Sequence, residues 1–182
     1  GNANLNYKIN NSLSVSTQFS TDWYQFSLRE GIPLRSVDLS KYRETERRFQ
    51  ETNMDFRLNY NKNLTSDLNL AAMVGANRMK RFRKRNTIDS SGGIVVDRFF
   101  NVANSAEASV PTTNEQEKGI NSLYGSMTLG YKDMLFLDLS ARNDWSSTLP
   151  EDDNSYFYPS VSVSFAFSEL LADKEFINFG KV

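Results

Sequence analysis

The chain reads as all-β, a wall of an antiparallel up-and-down transmembrane β-barrel. Three observations predict this. Seven stretches alternate apolar with polar residues, and a period of two marks an extended strand with one apolar and one polar face. The connections between the stretches are alternately tight and long, the rhythm of a membrane barrel rather than a soluble sandwich. Two stretches, Leu13 to Arg29 and Ser66 to Arg81, also far exceed the ~5–6 residues usual for strands.

Each element follows one rule. In the first, Leu5, Tyr7 and Ile9 oppose Asn4, Asn6 and Lys8; in the second, Leu13, Val15, Thr17 and Phe19 oppose Ser14, Ser16, Gln18 and Ser20. Met54, Phe56, Leu58 and Tyr60 oppose Asn53, Asp55, Arg57 and Asn59 in the third. The fourth sets Leu68, Leu70, Ala72 and Val74 against Asp67, Asn69, Ala71 and Met73. Leu123, Met127, Leu129 and Tyr131 oppose Ser122, Tyr124, Ser126 and Thr128 in the fifth, and Leu135, Leu137, Leu139 and Ala141 oppose Asp138, Ser140 and Arg142 in the sixth. The seventh is the clearest, with Val161, Val163, Phe165 and Phe167 against Ser160, Ser162, Ser164 and Ser168. An eighth strand begins at Phe179 and is cut off, which predicts that this is a portion of a larger wall.

Tight polar turns are expected at Asn10-Asn11-Ser12, around Lys62-Asn63 and at Lys132-Asp133. Long loops are expected from Glu30 to Arg48, Arg83 to Lys118 and Ser147 to Ser155. Short turns are periplasmic and long loops extracellular in outer-membrane barrels. On that orientation Tyr7, Tyr60, Tyr131 and Phe167 end the apolar faces on the periplasmic side, and Trp23, Phe82, Trp145 and Tyr156 on the other. Two aromatic rows bounding an aliphatic band are what a lipid interface selects. The plainer alternative, aromatics filling a sandwich core, fits poorly with strands this long.

Composition narrows the function. The 182 residues suffice for one domain, and the net charge of -1 exerts no overall pull on nucleic acid or anionic membrane. The mean hydropathy of -0.53 is that of a soluble protein, but alternation cancels the two faces in any average. No run is long enough for a transmembrane helix, and Gly1-Asn2-Ala3-Asn4 resembles no signal peptide. Histidine and cysteine are both absent, which excludes disulfides, the familiar zinc sites and His-dependent nucleophilic devices. Glu151-Asp152-Asp153 beside Pro150 reads as a solvated turn; a calcium site is the sharper alternative. The expectation is a protein that is not an enzyme and takes no cofactor or metal.

The basic run Lys80, Arg81, Arg83, Lys84 and Arg85 encloses Phe82 at the outer end of the fourth strand. A short basic run is a weak nucleic-acid signal. At that height the phosphates of lipopolysaccharide are the expected partners; a solvated strand end is the plain alternative.

Arg142-Asn143-Asp144-Trp145-Ser146-Ser147, then Tyr156-Phe157-Tyr158-Pro159-Ser160-Val161-Ser162-Val163, then Ser168-Glu169, resembles the R-x-D-x-S-S, Y-x-P-S-x-S, S-E signature of the SusC/RagA family. Leu64 to Gly75 and Leu123 to Leu139 are similar to that family's barrel too, while Trp145 stands where such proteins often carry Gly. The resemblance implies a TonB-dependent outer-membrane transporter of Bacteroidetes. It implies a barrel of about 22 strands, a plug that is missing here, TonB contact through that missing N-terminal region, and a SusD-like surface lipoprotein over the mouth. It further implies import of an oligosaccharide or a peptide.

On this reading residues 1–182 are part of one barrel domain, and the motif residues Arg142, Asp144, Ser146, Ser147, Pro159 and Ser160 are structural and face the lumen. Arg142 and Asp144 share a strand face and should be tied into charge pairs. Leu137, Leu139, Val161, Val163 and Phe165 should face lipid, and Asp138, Ser140, Ser162 and Ser164 the lumen. Loop aromatics near the mouth, Trp23, Tyr24, Tyr42, Trp145 and Tyr156, are the candidate contacts to substrate or lid, with girdle anchoring the alternative for the two tryptophans. Two rival classes are a small self-contained outer-membrane barrel of adhesion or structural type and a soluble glycan-binding sandwich.

Overall fold

A computed structural model describes residues 1–167, which leaves Ser168, Glu169 and the strand expected from Phe179 outside the described residues. The chain forms seven strands: β1 (Asn2–Lys8), β2 (Leu13–Ile32), β3 (Lys41–Asn63), β4 (Leu68–Asp89), β5 (Thr112–Tyr131), β6 (Leu135–Ser146) and β7 (Ser155–Phe165). They make one sheet in the order β1-β2-β3-β4-β5-β6-β7, so every strand lies beside its neighbour in sequence. Two single-turn 3-10 helices, Val102–Asn104 and Glu151–Asp153, interrupt the loops.

The tight turns have local causes. Asn10 accepts the Ser12 and Leu13 amides on its side-chain oxygen, closing the β1–β2 hairpin. Lys132 and Asp133 adopt φ of 53° and 54°, the paired left-handed geometry of a type I′ hairpin, whose twist matches that of the flanking strands. The β3–β4 turn occupies 64–67 rather than Lys62-Asn63, with the Leu64 amide donating to the Leu68 carbonyl.

The strands run further than the apolar pattern does. The expected loop from Glu30 to Arg48 shrinks to 33–40, and that from Arg83 to Lys118 to 90–111. At the other end β7 stops at Phe165, so Phe167 is not a strand residue. The reason is physical. Side-chain alternation records what each face touches, whereas the backbone ladder needs only extended φ and ψ. In Lys41–Gln50 the positions that would continue the apolar face include Glu44, Glu46 and Arg48. Such charges are not tolerated against hydrocarbon, so this part of β3 extends beyond it as a rim.

The chain groups into two compact units. One comprises Gly1–Ser20, Asn53–Met79 and the chain from Gly119 onward; the other comprises Thr21–Thr52 and Lys80–Lys118. In the first unit the register settles which residues share a face. Leu139 stands opposite both Met127 and Val161, and Leu137 opposite Leu129 and Val163, so the apolar positions of three strands line up. Asp138 pairs with Thr128 and Ser162 on the other face.

The apolar face is uncovered. Val161 and Val163 are 70% and 62% exposed, Leu5 64% and Tyr7 65%. Among the described residues the only buried apolar side chains are Tyr42, Ile94 and Ala166. A sandwich would bury this face against a second sheet, and a contiguous apolar surface this open is not left to water. It is a lipid-facing surface.

Arginine at a lipid-facing midplane position costs ~2–4 kcal/mol, and little on the lumenal face. In the full-length barrel, Val163→Arg should therefore lower the denaturant midpoint of refolded protein clearly, and Ser162→Arg should barely move it. Equal losses would refute the assignment of faces.

Candidate functional site

In the first unit the polar face is knit across strands. Arg142 donates to Asp144 Oδ1 at 2.7 Å and to Ser122 Oγ at 2.9 Å, and its guanidinium lies 5.2 Å from the Tyr124 ring centroid. The Tyr124 hydroxyl in turn donates to Asp55 Oδ2 at 2.6 Å, so a residue of β5 reaches a carboxylate on β3. Asp55 lies 2.8 Å from Arg57 Nε, an ion pair by distance but without the direction of a hydrogen bond.

Gly75 makes this crossing possible. It sits on β4, the strand between, and a Cβ built there would lie 2.5 Å from Tyr124 Cζ. Only a residue without a side chain lets the ring lie flat over the strand and deliver its hydroxyl to Asp55. An aromatic laid over a sheet glycine recovers the packing the glycine lacks.

The second unit carries a different face. Tyr24 stacks on Phe49, ring centroids 5.1 Å apart, and the guanidiniums of Arg81 and Arg83 lie 6.0 and 5.6 Å from the Phe49 ring. Arg81 also donates to Glu51 at 2.6 Å, while Lys84 pairs with Glu115. A groove of about 500 Å³ opens beside this cluster, bordered by Tyr24, Arg47, Arg83, Arg85, Asn114 and Gln116.

At the outer strand ends, Arg43 grips Asp89 through Nε and Nη2, and this hydrogen bond holds the Asp89 carboxyl below the usual carboxylate range. The loop at 90–111 is ordered by Asn104. Its side chain accepts from the Val96 amide and donates to the Val96 and Phe99 carbonyls.

The five candidate contact aromatics all lie in strands, not loops. Trp23 and Tyr24 are adjacent on β2 and therefore point to opposite faces; Trp23 is 75% exposed. Trp145 alternates with Asp144 and so joins the apolar face, whereas Tyr156, in register with Asp144, joins the polar face with Tyr158. Tyr156 is thus no part of an outer aromatic row.

Tyr42 is 4% exposed beneath Phe100, with ring centroids 6.2 Å apart, and cannot meet a substrate. Its hydroxyl donates to Glu44, a bond that raises the phenol pKa above its ordinary value. The loop's return over Tyr42 is a long-range event that no local pattern announces.

The motif residues divide as well. Arg142, Asp144 and Ser146 occupy the polar face of β6, and Ser160 pairs with Ser140 on that face. Pro159 pairs with Ala141 and so stands on the apolar face, not the lumenal one. Ser147 lies beyond the end of β6, where its hydroxyl accepts the Gly119 amide at 2.8 Å. The basic run is not a strand end but lies inside β4, and alternation sends Lys80 and Lys84 to one side and Arg81, Arg83 and Arg85 to the other. Among the described residues no group of three or more acidic side chains could hold a metal ion.

Sequence reasoning passed over Tyr124, Gly75 and Phe49. Gly75 had a readable signal, since a glycine inside an apolar strand marks a close approach.

An up-and-down antiparallel sheet with an uncovered apolar face and an ion-paired polar face defines the wall of a membrane β-barrel. The chain belongs to the TonB dependent receptor-like, beta-barrel family, whose model matches residues 1–180. The TonB-dependent receptor barrel expected from the signature is thereby met. Among solved structures, the chain is similar to the RagAB peptide transporter at a TM-score of 0.80 and 20% identity. It is also similar to the RagAB peptide importer in its open-open state, TM-score 0.73, and in its closed-closed state, TM-score 0.76, each at 20% identity. Each match covers 97% of this chain but 20% of the other, so the chain spans about a fifth of the length of these structures. No curated protein matches the chain.

Gly75→Ala should destabilise the full-length barrel through its clash with Tyr124, and Tyr124→Ala should destabilise it by removing the ring. In the double variant the glycine penalty should vanish, leaving a coupling within the ~0.5–3 kcal/mol range of residues in contact. Additive losses in a denaturant titration would show that the ring and the glycine act independently.

Proposed function

We propose that this chain is a portion of the barrel of an outer-membrane importer, which moves a nutrient oligosaccharide or peptide inward with TonB-transmitted energy. The observation that carries the reading is the division of the sheet into an uncovered apolar face and an ion-paired polar face, in a chain of the TonB-dependent receptor-like family. The barrel holds the solute path on its polar side. The plug and the TonB-contacting segment belong to other parts of the protein, and residues 1–182 fall within one barrel domain. No histidine or cysteine is available for the commonest catalytic devices, which favours passage over chemistry.

A SusD-like surface lipoprotein covers the mouth in this reading. The ordered loop at 90–111 supports it, because Val95, Val96 and Phe99 stay exposed at its surface. Of the candidate aromatics, Tyr24 and Tyr156 meet the solute in this reading, supported by their position on the polar face, and Trp23 and Trp145 anchor in the lipid interface. Contact with lipopolysaccharide phosphates narrows to Lys80 and Lys84, which alternation sends to the face opposite Arg81, Arg83 and Arg85, although Lys84 also borders the groove.

The test uses the full-length protein in cells otherwise unable to take up the nutrient. Uptake of labelled oligopeptides or oligosaccharides should require TonB, and replacing residues 90–111 with a short Gly-Ser turn should abolish co-purification of the lipoprotein. Uptake that persists without TonB would contradict energised import. Lipoprotein capture that survives loop replacement would remove the loop from the lid contact.

A further inference from the structure

The groove of the second unit holds positive charge that the described residues do not neutralise. Around it, Arg43, Arg81 and Lys84 each have a carboxylate partner. Arg47, Arg48, Arg83 and Arg85, which border it, have none among the described residues. Arg83 is held over Phe49, and Arg85 lies two positions further along β4 on the same side. Four guanidiniums bordering one groove repel each other unless an outside anion joins them.

The spacing selects the anion. Side chains on one face of a strand recur every ~6.6–6.8 Å. An extended peptide repeats its own same-side side chains at that distance, so carboxylates at alternate residues would meet Arg83 and Arg85 in step. Arginine presents a planar fork that grips a carboxylate through two hydrogen bonds. Asn114 and Gln116, also at alternate positions on β5, supply amides able to both donate to and accept from a peptide backbone. The Tyr24–Phe49 stack adds an apolar wall for an intervening side chain.

We propose that this groove is a recognition site for an extended peptide bearing carboxylates at alternate residues. The assignment names a substrate class for the importer proposed above and rests on that reading for its place on the solute path.

The test is fluorescence anisotropy on the purified full-length protein with a labelled Asp-Ser-Asp-Ser-Asp-Ser peptide and its Asn-Ser-Asn-Ser-Asn-Ser counterpart. The acidic peptide should bind about tenfold tighter or more at low salt, and the preference should shrink as salt screens the pairs. R83Q/R85Q should abolish the preference, whereas R35Q/R98Q, removing the same charge from loop positions, should keep it. If R83Q/R85Q fails to fold, judged by heat-modifiable migration, R85Q alone carries the test and should weaken the preference. Equal binding of the two peptides, or a preference that survives loss of these arginines, overturns the site. So does an acidic oligosaccharide, oligogalacturonate, that displaces the peptide and binds more tightly than it. Uptake scored in parallel separates the two proposals. TonB-dependent uptake without an acidic preference overturns the groove alone; an arginine-dependent preference without such uptake supports the groove and overturns the import reading.

Discussion

Hydrocarbon offers the backbone no hydrogen-bond partners, and the rest of this structure follows from that constraint. Each unsatisfied amide or carbonyl in lipid costs several kcal/mol, so a spanning chain must be helical or must pair every strand with neighbours. No helix among the described residues is long and apolar enough to cross a membrane. The chain instead pairs each strand with its sequence neighbours through tight turns. The same constraint fixes the side chains. One face meets lipid and carries Leu, Val and Phe; the other is free to carry Asp, Arg, Ser and Tyr, and there the specific chemistry collects.

On that polar face, side-chain bridges within and across strands add what backbone pairing cannot. Tyr124 crosses Gly75 to reach Asp55, and Arg142 ties Asp144 and Ser122 to the same ring. A ladder can slip by two residues and keep its facing pattern. A side chain fitted over one particular glycine cannot, so the bridge pins register as well as adding stability. In the second unit the division of charge is the informative feature. Arg81 and Lys84 are neutralised within the sheet, while Arg47, Arg48, Arg83 and Arg85 beside the groove have no carboxylate partner among the described residues.

Much of the wall was legible because burial against lipid writes itself into the sequence with period two. All seven strands, the Lys132-Asp133 turn and the common face of Arg142 and Asp144 could be read that way. The outer ends of β3, β4 and β5 could not, because above the hydrocarbon the ladder continues without any demand for apolar residues. The Glu30 to Arg48 loop was overdrawn for that reason. Pro159 shows a finer limit. The motif places it among polar residues, and only the register against Ala141 shows which face it occupies. Tyr42 shows the opposite limit, since it is buried by Phe100 from a loop far away in sequence.

Accessibility along one strand tests the central claim most directly. Single cysteines placed in turn at positions 157 to 163, in the full-length protein in bilayers and on a background without other cysteines, can be reacted with a membrane-impermeant maleimide. Labelling should alternate, strong at Tyr158, Ser160 and Ser162 and weak at Phe157, Pro159, Val161 and Val163. Uniform labelling, or alternation of the opposite phase, would contradict it.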